Sequence, residues 1–367
     1  MSRTIITIVG ARPNFVKIAS FLRALESQPK VKSIFLHTGQ HYDAALSESF
    51  FDQLKIRHPD INLNVGSGSH AEQTGKVMVG FEKVLSEHRA DCVVVVGDVN
   101  STMACAIVAK KAQVKVAHIE AGLRSRDMAM PEEINRLCTD VITDFLFTTT
   151  PEAGANLRSE GVPADKIHFV GNIMIDSLVM NRERAAALKS YETYGLKRGE
   201  YALVTLHRPS NVDSENNLRA VVQAIAQIHK RCPVLFLAHP RTQAKLKAAG
   251  LLADGKNPDF CKLGEPAAYL DMLNLQLNAK FVITDSGGIQ EETTVLGIPC
   301  LTYRENTERP ETVSAGTNIL VGTDPSKLLA ESGKILSGDL KRGRVPELWD
   351  GKTGERIVQV LLRQLSV

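Results

Sequence analysis

Residues 92–102 read Cys-Val-Val-Val-Val-Gly-Asp-Val-Asn-Ser-Thr. Four consecutive valines predict a strand buried on both faces, as in a parallel sheet covered by helices. A glycine and an aspartate follow at once. Asp98 therefore stands at the carboxyl end of a central strand, where open α/β sheets bind their ligands. A carboxylate at that apolar rim is a candidate for a perturbed pKa. Asp98 could also cap the next helix, although Asn100 or Ser101 would serve better there.

The same rhythm of β-branched run, glycine or polar loop and helix extends in both directions. Strand-like runs occupy Ile5–Val9, Ser33–His37, Val114–Ile119 and Phe145–Thr148. A second series covers Ala202–Leu206, Val234–Ala238, Phe281–Thr284, Pro299–Thr302 and Asn318–Val321. Such alternation predicts an α/β protein with parallel sheets and right-handed crossovers. Ser69 and Glu72 form a capping-box pattern before a helix reaching about Glu87, and Pro13, Pro131 and Pro151 mark further helix starts. A length of 367 residues, at about 150 residues per domain, favours two domains. Breaks near Gly171–Asn172 and Gly338–Gly343 divide the chain. The expectation is a Rossmann-like domain over residues 1–171, a nucleotide-binding one over 172–350, and a last helix within 351–367. That helix is expected to pack back across the cleft onto the first domain.

Composition removes several classes. A net charge of +3 with no Lys/Arg block or aromatic series argues against nucleic acid. The six cysteines are scattered, with no Cys-x-x-Cys pair, so neither a disulfide framework nor a metal site is expected. No signal segment precedes the first strand and no run approaches the ~18 apolar residues of a membrane span. A cytoplasmic protein acting away from membranes is the expectation.

The loops that follow strands hold most of the unusual residues. Gly10-Ala11-Arg12-Pro13-Asn14 opens a helix carrying Lys17; it is no Gly-x-Gly-x-x-Gly fingerprint, but it sets Arg12 and Lys17 at a positive helix end. Solvated surface charges are the plainer reading of these two. Thr38-Gly39-Gln40-His41 is uninformative alone. Glu120, in His118-Ile119-Glu120-Ala121-Gly122-Leu123-Arg124, repeats the position of Asp98 one strand over. Glu132 and Glu133, in Pro131-Glu132-Glu133-Ile134-Asn135-Arg136, suit a helix dipole. Converging with Asp98 and Glu120, such acids suit proton transfer at carbon beside a departing anion. In the second half, His207 and His239 each sit just past a strand. Asp285-Ser286-Gly287-Gly288 lets backbone amides approach a diphosphate closely. Glu292 lies within reach of ribose hydroxyls, and Arg309, in Thr307-Glu308-Arg309-Pro310-Glu311, adds a cation.

Taken in order, these motifs resemble the non-hydrolysing UDP-N-acetylglucosamine 2-epimerases over nearly the whole chain. The resemblance implies a glycosyltransferase-B-like fold of two Rossmann-like domains, a homodimer and a UDP-sugar substrate. It also implies C2 inversion without NAD or metal, by loss of UDP to a 2-acetamidoglucal and its return. Carried over, Asp98, Glu120 and Glu132 handle the C2 proton or the developing cationic ring, with His207 beside them and Lys17 also in the catalytic set. Arg12, Lys17, Ser286, Gly287, Gly288 and Arg309 hold the diphosphate, Glu292 the ribose, and His239 joins the ligand-binding set. The resemblance places the enzyme in supply of an activated sugar for surface polysaccharide.

Three segments depart from the family pattern. Pro209-Ser210 follows His207-Arg208 where many relatives have Arg-Glu. Glu72-Gln73-Thr74-Gly75 replaces an Arg-Gln-Thr-Leu stretch, which argues against substrate activation at a second site. The uracil-side tyrosine, Tyr269, sits in Ala267-Ala268-Tyr269-Leu270-Asp271-Met272 without the Gln and Phe of some relatives. Alternatives are a 2-epimerase of a UDP-sugar altered at C3 or C6, a hydrolysing epimerase, a glycosyltransferase of the same fold, and a nucleotide-sugar binder without turnover.

Overall fold

The computed structural model describes residues 2–39, 51, 53–252 and 258–367. Among these residues the strands form two sheets, both entirely parallel. The first contains β1 (Arg3–Val9), β2 (Val31–His37), β3 (Ile61–Asn62), β4 (Cys92–Val96), β5 (Lys115–Ala121), β6 (Phe145–Thr148) and β7 (Ile167–Phe169). Its spatial order is β3-β2-β1-β4-β5-β6-β7. The second contains β8 (Ala202–Thr205), β9 (Val234–Leu237), β10 (Lys262–Gly264), β11 (Phe281–Thr284), β12 (Cys300–Thr302) and β13 (Asn318–Leu320), ordered β10-β9-β8-β11-β12-β13. Each sheet reverses its winding once, between β1 and β4 and between β8 and β11. Those reversals are the switch points of doubly wound sheets.

The valine run forms β4 as its composition demands. All five residues from Cys92 to Val96 are buried, and each fully buried valine contributes about 1.5–3 kcal/mol relative to exposure. Alternation sends neighbours to opposite faces. In the second sheet Ala202, Val204 and Phe236 pack on one side, and Tyr201, Leu203 and Leu235 on the other. The capping box forms at the helix His70–Glu87: Ser69 Oγ accepts from the Glu72 amide at 3.3 Å, and Glu72 Oε2 from the Ser69 amide at 3.0 Å.

The chain divides into two compact units, Met1–Met180 with Glu347–Val367, and Asn181–Pro346. The division falls inside the helix Ile173–Ala186 rather than at Gly171–Asn172. The reason is local bonding. Ser177 Oγ donates to the Val16 carbonyl, and Asp176 accepts from the amides of Thr353 and Gly354 at 3.0 and 2.7 Å. The last helix, Thr353–Gln364, lies against the helix Arg12–Glu26 in the first unit. Trp349 Nε1 donates to the Thr149 carbonyl at 3.1 Å and fixes the approach to it.

Candidate active site

At the rim of the first sheet, the loop after β1 is tied to β4 by Asn14. Its side chain accepts from the Ala11 amide at 3.0 Å and donates to the Val96 carbonyl at 3.3 Å. One turn further along, Lys17 Nζ lies 2.5 Å from Glu120 Oε2. Glu120 is buried at a bulge in β5, where the register with β6 shifts between Ile119 and Ala121. Its φ is +71°, a left-handed conformation that costs a non-glycine residue roughly 1–3 kcal/mol. The other carboxylate oxygen, Oε1, is buried and has no hydrogen-bond partner among the described residues.

Asp98 Oδ2 accepts from Arg136 Nε at 3.1 Å and Nη2 at 2.6 Å. Arg136 Nη1 reaches Glu133 Oε2 at 2.6 Å. Glu133 also accepts from the Ser125 and Arg126 amides, each at 2.9 Å. Burial works to raise the Glu133 carboxyl, but those amides and the guanidinium outweigh it and hold it below its ordinary value. Glu132 is exposed on the first turn of the helix Pro131–Ile142; its neighbour Glu133 joins the buried network.

Behind Glu120 lies a second network. His118, fully buried on β5, donates from Nε2 to the Gly97 carbonyl at 2.8 Å. Its Nδ1 is 2.6 Å from Asp140 Oδ1. Asp140 Oδ2 accepts from the Gly122 amide at 3.0 Å and pairs with Arg124 Nη1 at 2.8 Å. Burial pushes the Asp140 carboxyl up, but His118 and Arg124 together bring it below its ordinary value.

The rim of the second sheet is simpler. His207 Nδ1 is 2.9 Å from Asp285 Oδ1, so the pair spans the switch point between β8 and β11. Asp285 is fully buried and accepts from the His207 and Arg208 amides at 3.0 and 2.9 Å and from Asn211 Nδ2 at 2.9 Å. Burial alone would raise its carboxyl; the His207 side chain, with the Arg208 amide and Asn211, lowers it instead. The helix Gly287–Leu296 begins after Ser286 with no side-chain cap, which leaves its first amides aimed outward. Arg309 lies beside that turn: a Cβ on Gly287 would stand 3.5 Å from the guanidinium carbon, and Arg309 Nε donates to Glu291 Oε1 at 2.8 Å. Glu292 is buried and accepts from Gln276 Nε2 at 2.6 Å; burial pushes its carboxyl up to about 7. Burial beside Glu292 likewise raises the Tyr269 phenol. His239 is exposed and caps the helix Pro240–Ala248, Nδ1 accepting from the Arg241 amide at 3.3 Å.

Within each unit the structure thus groups Lys17 with Glu120, and Arg309 with Gly287. Arg12 opens its helix, and its side chain, like Gln40 and His41, lies outside the described residues. Sequence reasoning assigned no role to His118, Arg124, Arg136, Asp140 or Asp285. Four of them stand in motifs already singled out; Asp140, in mid-helix, carried no signal of its own. Among the described residues no three His, Cys, Asp or Glu side chains are placed to hold a metal ion, and no helix is long and apolar enough to cross a membrane.

Two doubly wound parallel sheets with charged loops at their carboxyl ends define an α/β protein of the glycosyltransferase-B-like class. The family model for UDP-N-acetylglucosamine 2-epimerase matches residues 23–362. A UDP-N-acetylglucosamine 2-epimerase of Methanocaldococcus jannaschii is 43% identical over 96% of this chain and 97% of its own. The crystal structure of the M. jannaschii UDP-GlcNAc 2-epimerase in complex with UDP-GlcNAc and UDP superposes with a TM-score of 0.89 at 42% identity, covering 98% of this chain and 99% of that one. A Pseudomonas aeruginosa relative, UDP-2,3-diacetamido-2,3-dideoxy-D-glucuronate 2-epimerase, is 39% identical over 94% of this chain and 98% of its own. The chain belongs to the UDP-N-acetylglucosamine 2-epimerase family.

Proposed function

We propose that this protein is a non-hydrolysing isomerase that interconverts UDP-N-acetylglucosamine and UDP-N-acetylmannosamine. The observation that carries the reading is Glu120: a buried carboxylate in a left-handed backbone conformation, one oxygen on Lys17 and the other unpartnered among the described residues. A carboxylate with a spare oxygen is what proton transfer at C2 requires. In the forward step that proton leaves, the C1–C2 double bond forms, and the C1–O bond breaks to release UDP. In the return step a proton enters C2 on the opposite face and a UDP oxygen re-forms the bond to C1. Asp98, Glu120 and Glu132 share the proton work, and no single base or acid is singled out. His207 shuttles a proton or steadies the departing phosphate.

The first unit is the sugar-handling domain in this reading, and the second is the nucleotide-binding domain. The Ser286–Gly288 amides and Arg309 take the diphosphate and stabilise its charge as it departs. Arg12 and Lys17 add positive charge, Glu292 takes the ribose, and His239 borders the ligand. The enzyme is cytoplasmic, needs neither NAD nor metal, and supplies polysaccharide assembly.

A homodimer is part of the proposal. Ile134, Leu137, Cys138 and Val141 form an apolar stripe on the helix Pro131–Ile142, yet Ile134 and Val141 are 43% and 73% exposed. A second copy covering the stripe would remove that surface from water. Light scattering should give twice the chain mass, falling to one chain mass in Val141→Lys; a wild-type monomer would sink the dimer.

The test of function is proton NMR with UDP-GlcNAc in D2O and no added NAD. A UDP-ManNAc anomeric signal with deuterium at C2 is expected. The P. aeruginosa relative motivates a second substrate, a UDP-2,3-diacetamido sugar acid. Turnover of that sugar alone would move the assignment to a modified substrate. Binding of UDP without turnover of either would leave a nucleotide-sugar binder.

A further inference from the structure

The paired groups behind Glu120 do more than fill the core. Three positions at the ends of β4 and β5 have left-handed φ angles: Gly97 at +70°, Glu120 at +71° and Gly122 at +80°. Gly97 immediately precedes Asp98, and Gly122 follows Glu120 by two. The turn at Gly97 is held on both sides, its amide donating to the Ile119 carbonyl at 3.1 Å and its carbonyl accepting from His118 Nε2 at 2.8 Å. The bulge at Glu120 is held at its far end, where the Gly122 amide donates to Asp140 Oδ2 at 3.0 Å. His118 and Asp140 are joined at 2.6 Å, so one buried pair grips both turns.

A Cβ at Gly97 would approach Asn14 Nδ2 at 3.2 Å and Lys17 Nζ at 3.3 Å. A Cβ at Gly122 would run into the Ala153 carbonyl. Both turns are thus closely packed, the Gly97 turn directly beside the Lys17–Glu120 pair. Stability alone is a poor reason for this arrangement. Desolvating a pair such as Asp140 and Arg124 is costly, and apolar residues of like volume often serve a core as well or better. What a directional pair adds is a fixed geometry.

We infer that His118 and Asp140 are positioning residues for the reaction, setting through the Gly97 carbonyl and the Gly122 amide where the Asp98 and Glu120 carboxylates stand. Neither touches the substrate. The inference rests on the epimerase reading for its consequence, and on the hydrogen bonds alone for its geometry.

Two substitutions separate the two ends of the imidazole. His118→Asn places an amide near Nδ1; it keeps the contact to Asp140 and loses the donor to Gly97. His118→Gln reaches to the position of Nε2 and keeps the Gly97 donor. In His118→Asn, kcat should fall about 100-fold, the cost of misplacing reacting groups by about 1 Å. KM and the affinity for UDP should stay within about twofold of wild type, as expected when ground-state binding is untouched. His118→Gln should recover about tenfold of the lost kcat if a donor to Gly97 restores the geometry.

A folded His118→Asn with wild-type kcat overturns the inference, as does equal loss of kcat and of UDP affinity. Equal impairment of both variants overturns the route through Gly97. Should His118→Asn fail to fold, a His118→Gln protein with kcat down about 100-fold overturns it too. Wild-type protein that turns over no UDP-sugar breaks the epimerase reading instead. The crystal structure of His118→Asn then decides the clamp: Gly97 leaving its left-handed φ supports it, and an unchanged turn refutes it.

Discussion

Two histidine–carboxylate pairs mark the two sheets, and they have almost the same local geometry. His118 Nδ1 is 2.6 Å from Asp140, and His207 Nδ1 is 2.9 Å from Asp285. Their surroundings differ completely. The His118 side chain is fully buried and its second nitrogen is spent on the Gly97 carbonyl. The His207 side chain is 51% exposed, while Asp285 beneath it is fully buried and held by three further donors. A ring closed at both nitrogens positions other groups; a ring anchored at one nitrogen and open at the other is equipped to meet a ligand. What a histidine does here is therefore set by the partner of its second nitrogen, not by the carboxylate on its first.

Removing each carboxylate should widen that contrast most. Asp140→Ala leaves Arg124 and His118 buried without their common partner, at a cost of about 3–5 kcal/mol. Asp285→Ala orphans amides beside an exposed ring and should cost only about 1–3 kcal/mol. Urea unfolding at constant pH measures both, and equal losses would dissolve the distinction. Next in size is His207→Gln. It should lower kcat about 100-fold as loss of a proton-transfer group does, while stability moves by no more than about 0.5 kcal/mol, as for an exposed side chain. A stability loss equal to that of Asp140→Ala would make His207 a structural residue.

A further contrast is a pH dependence seated in the second unit. Glu292 titrates at about 7 in the folded chain, above its ordinary 4.5. The folded state therefore holds the proton more tightly. This favours folding below about 4.5, and the advantage is lost as the pH rises through about 7. His37, lowered to about 4 by burial, acts in the opposite sense over an overlapping window, destabilising the fold as the pH falls from 6.5 towards 4. Comparison with Glu292→Gln isolates the carboxyl. The variant should lose stability less than wild type between pH 5 and pH 8 in thermal unfolding, and parallel curves would show that Glu292 does not titrate there.

The buried strands were legible in the sequence because short runs rich in β-branched and aromatic residues, bounded by glycine or polar residues, favour a strand over a helix. Cys92–Val96, Phe145–Thr148 and Phe281–Thr284 coincide with β4, β6 and β11 residue for residue. The strands Ile61–Asn62, Ile167–Phe169 and Lys262–Gly264 lie at sheet edges, are mostly half-buried and carry no continuous apolar run. At the site, Asp98, Glu120 and His207 announced themselves by standing just past strands. Their supporting partners did not, and the helix Pro131–Ile142 shows why. The spacing of Ile134, Leu137, Cys138 and Val141 is that of a stripe facing a core. The structure buries Glu133, Asn135, Arg136, Thr139 and Asp140 instead. A polar face turned inward can be recognised only once its partners, Asp98, His118 and Gly122, are placed against it by the sheet.

The most direct measurement is exchange of the C2 hydrogen of UDP-GlcNAc with D2O, followed by NMR in wild type and in Glu120→Gln, with UDP affinity determined calorimetrically on both. With Glu120 handling the C2 proton, exchange in the variant should fall by about 100-fold or more while UDP still binds. Exchange at the wild-type rate in a folded, UDP-binding Glu120→Gln protein would contradict that role and move the proton chemistry to another group.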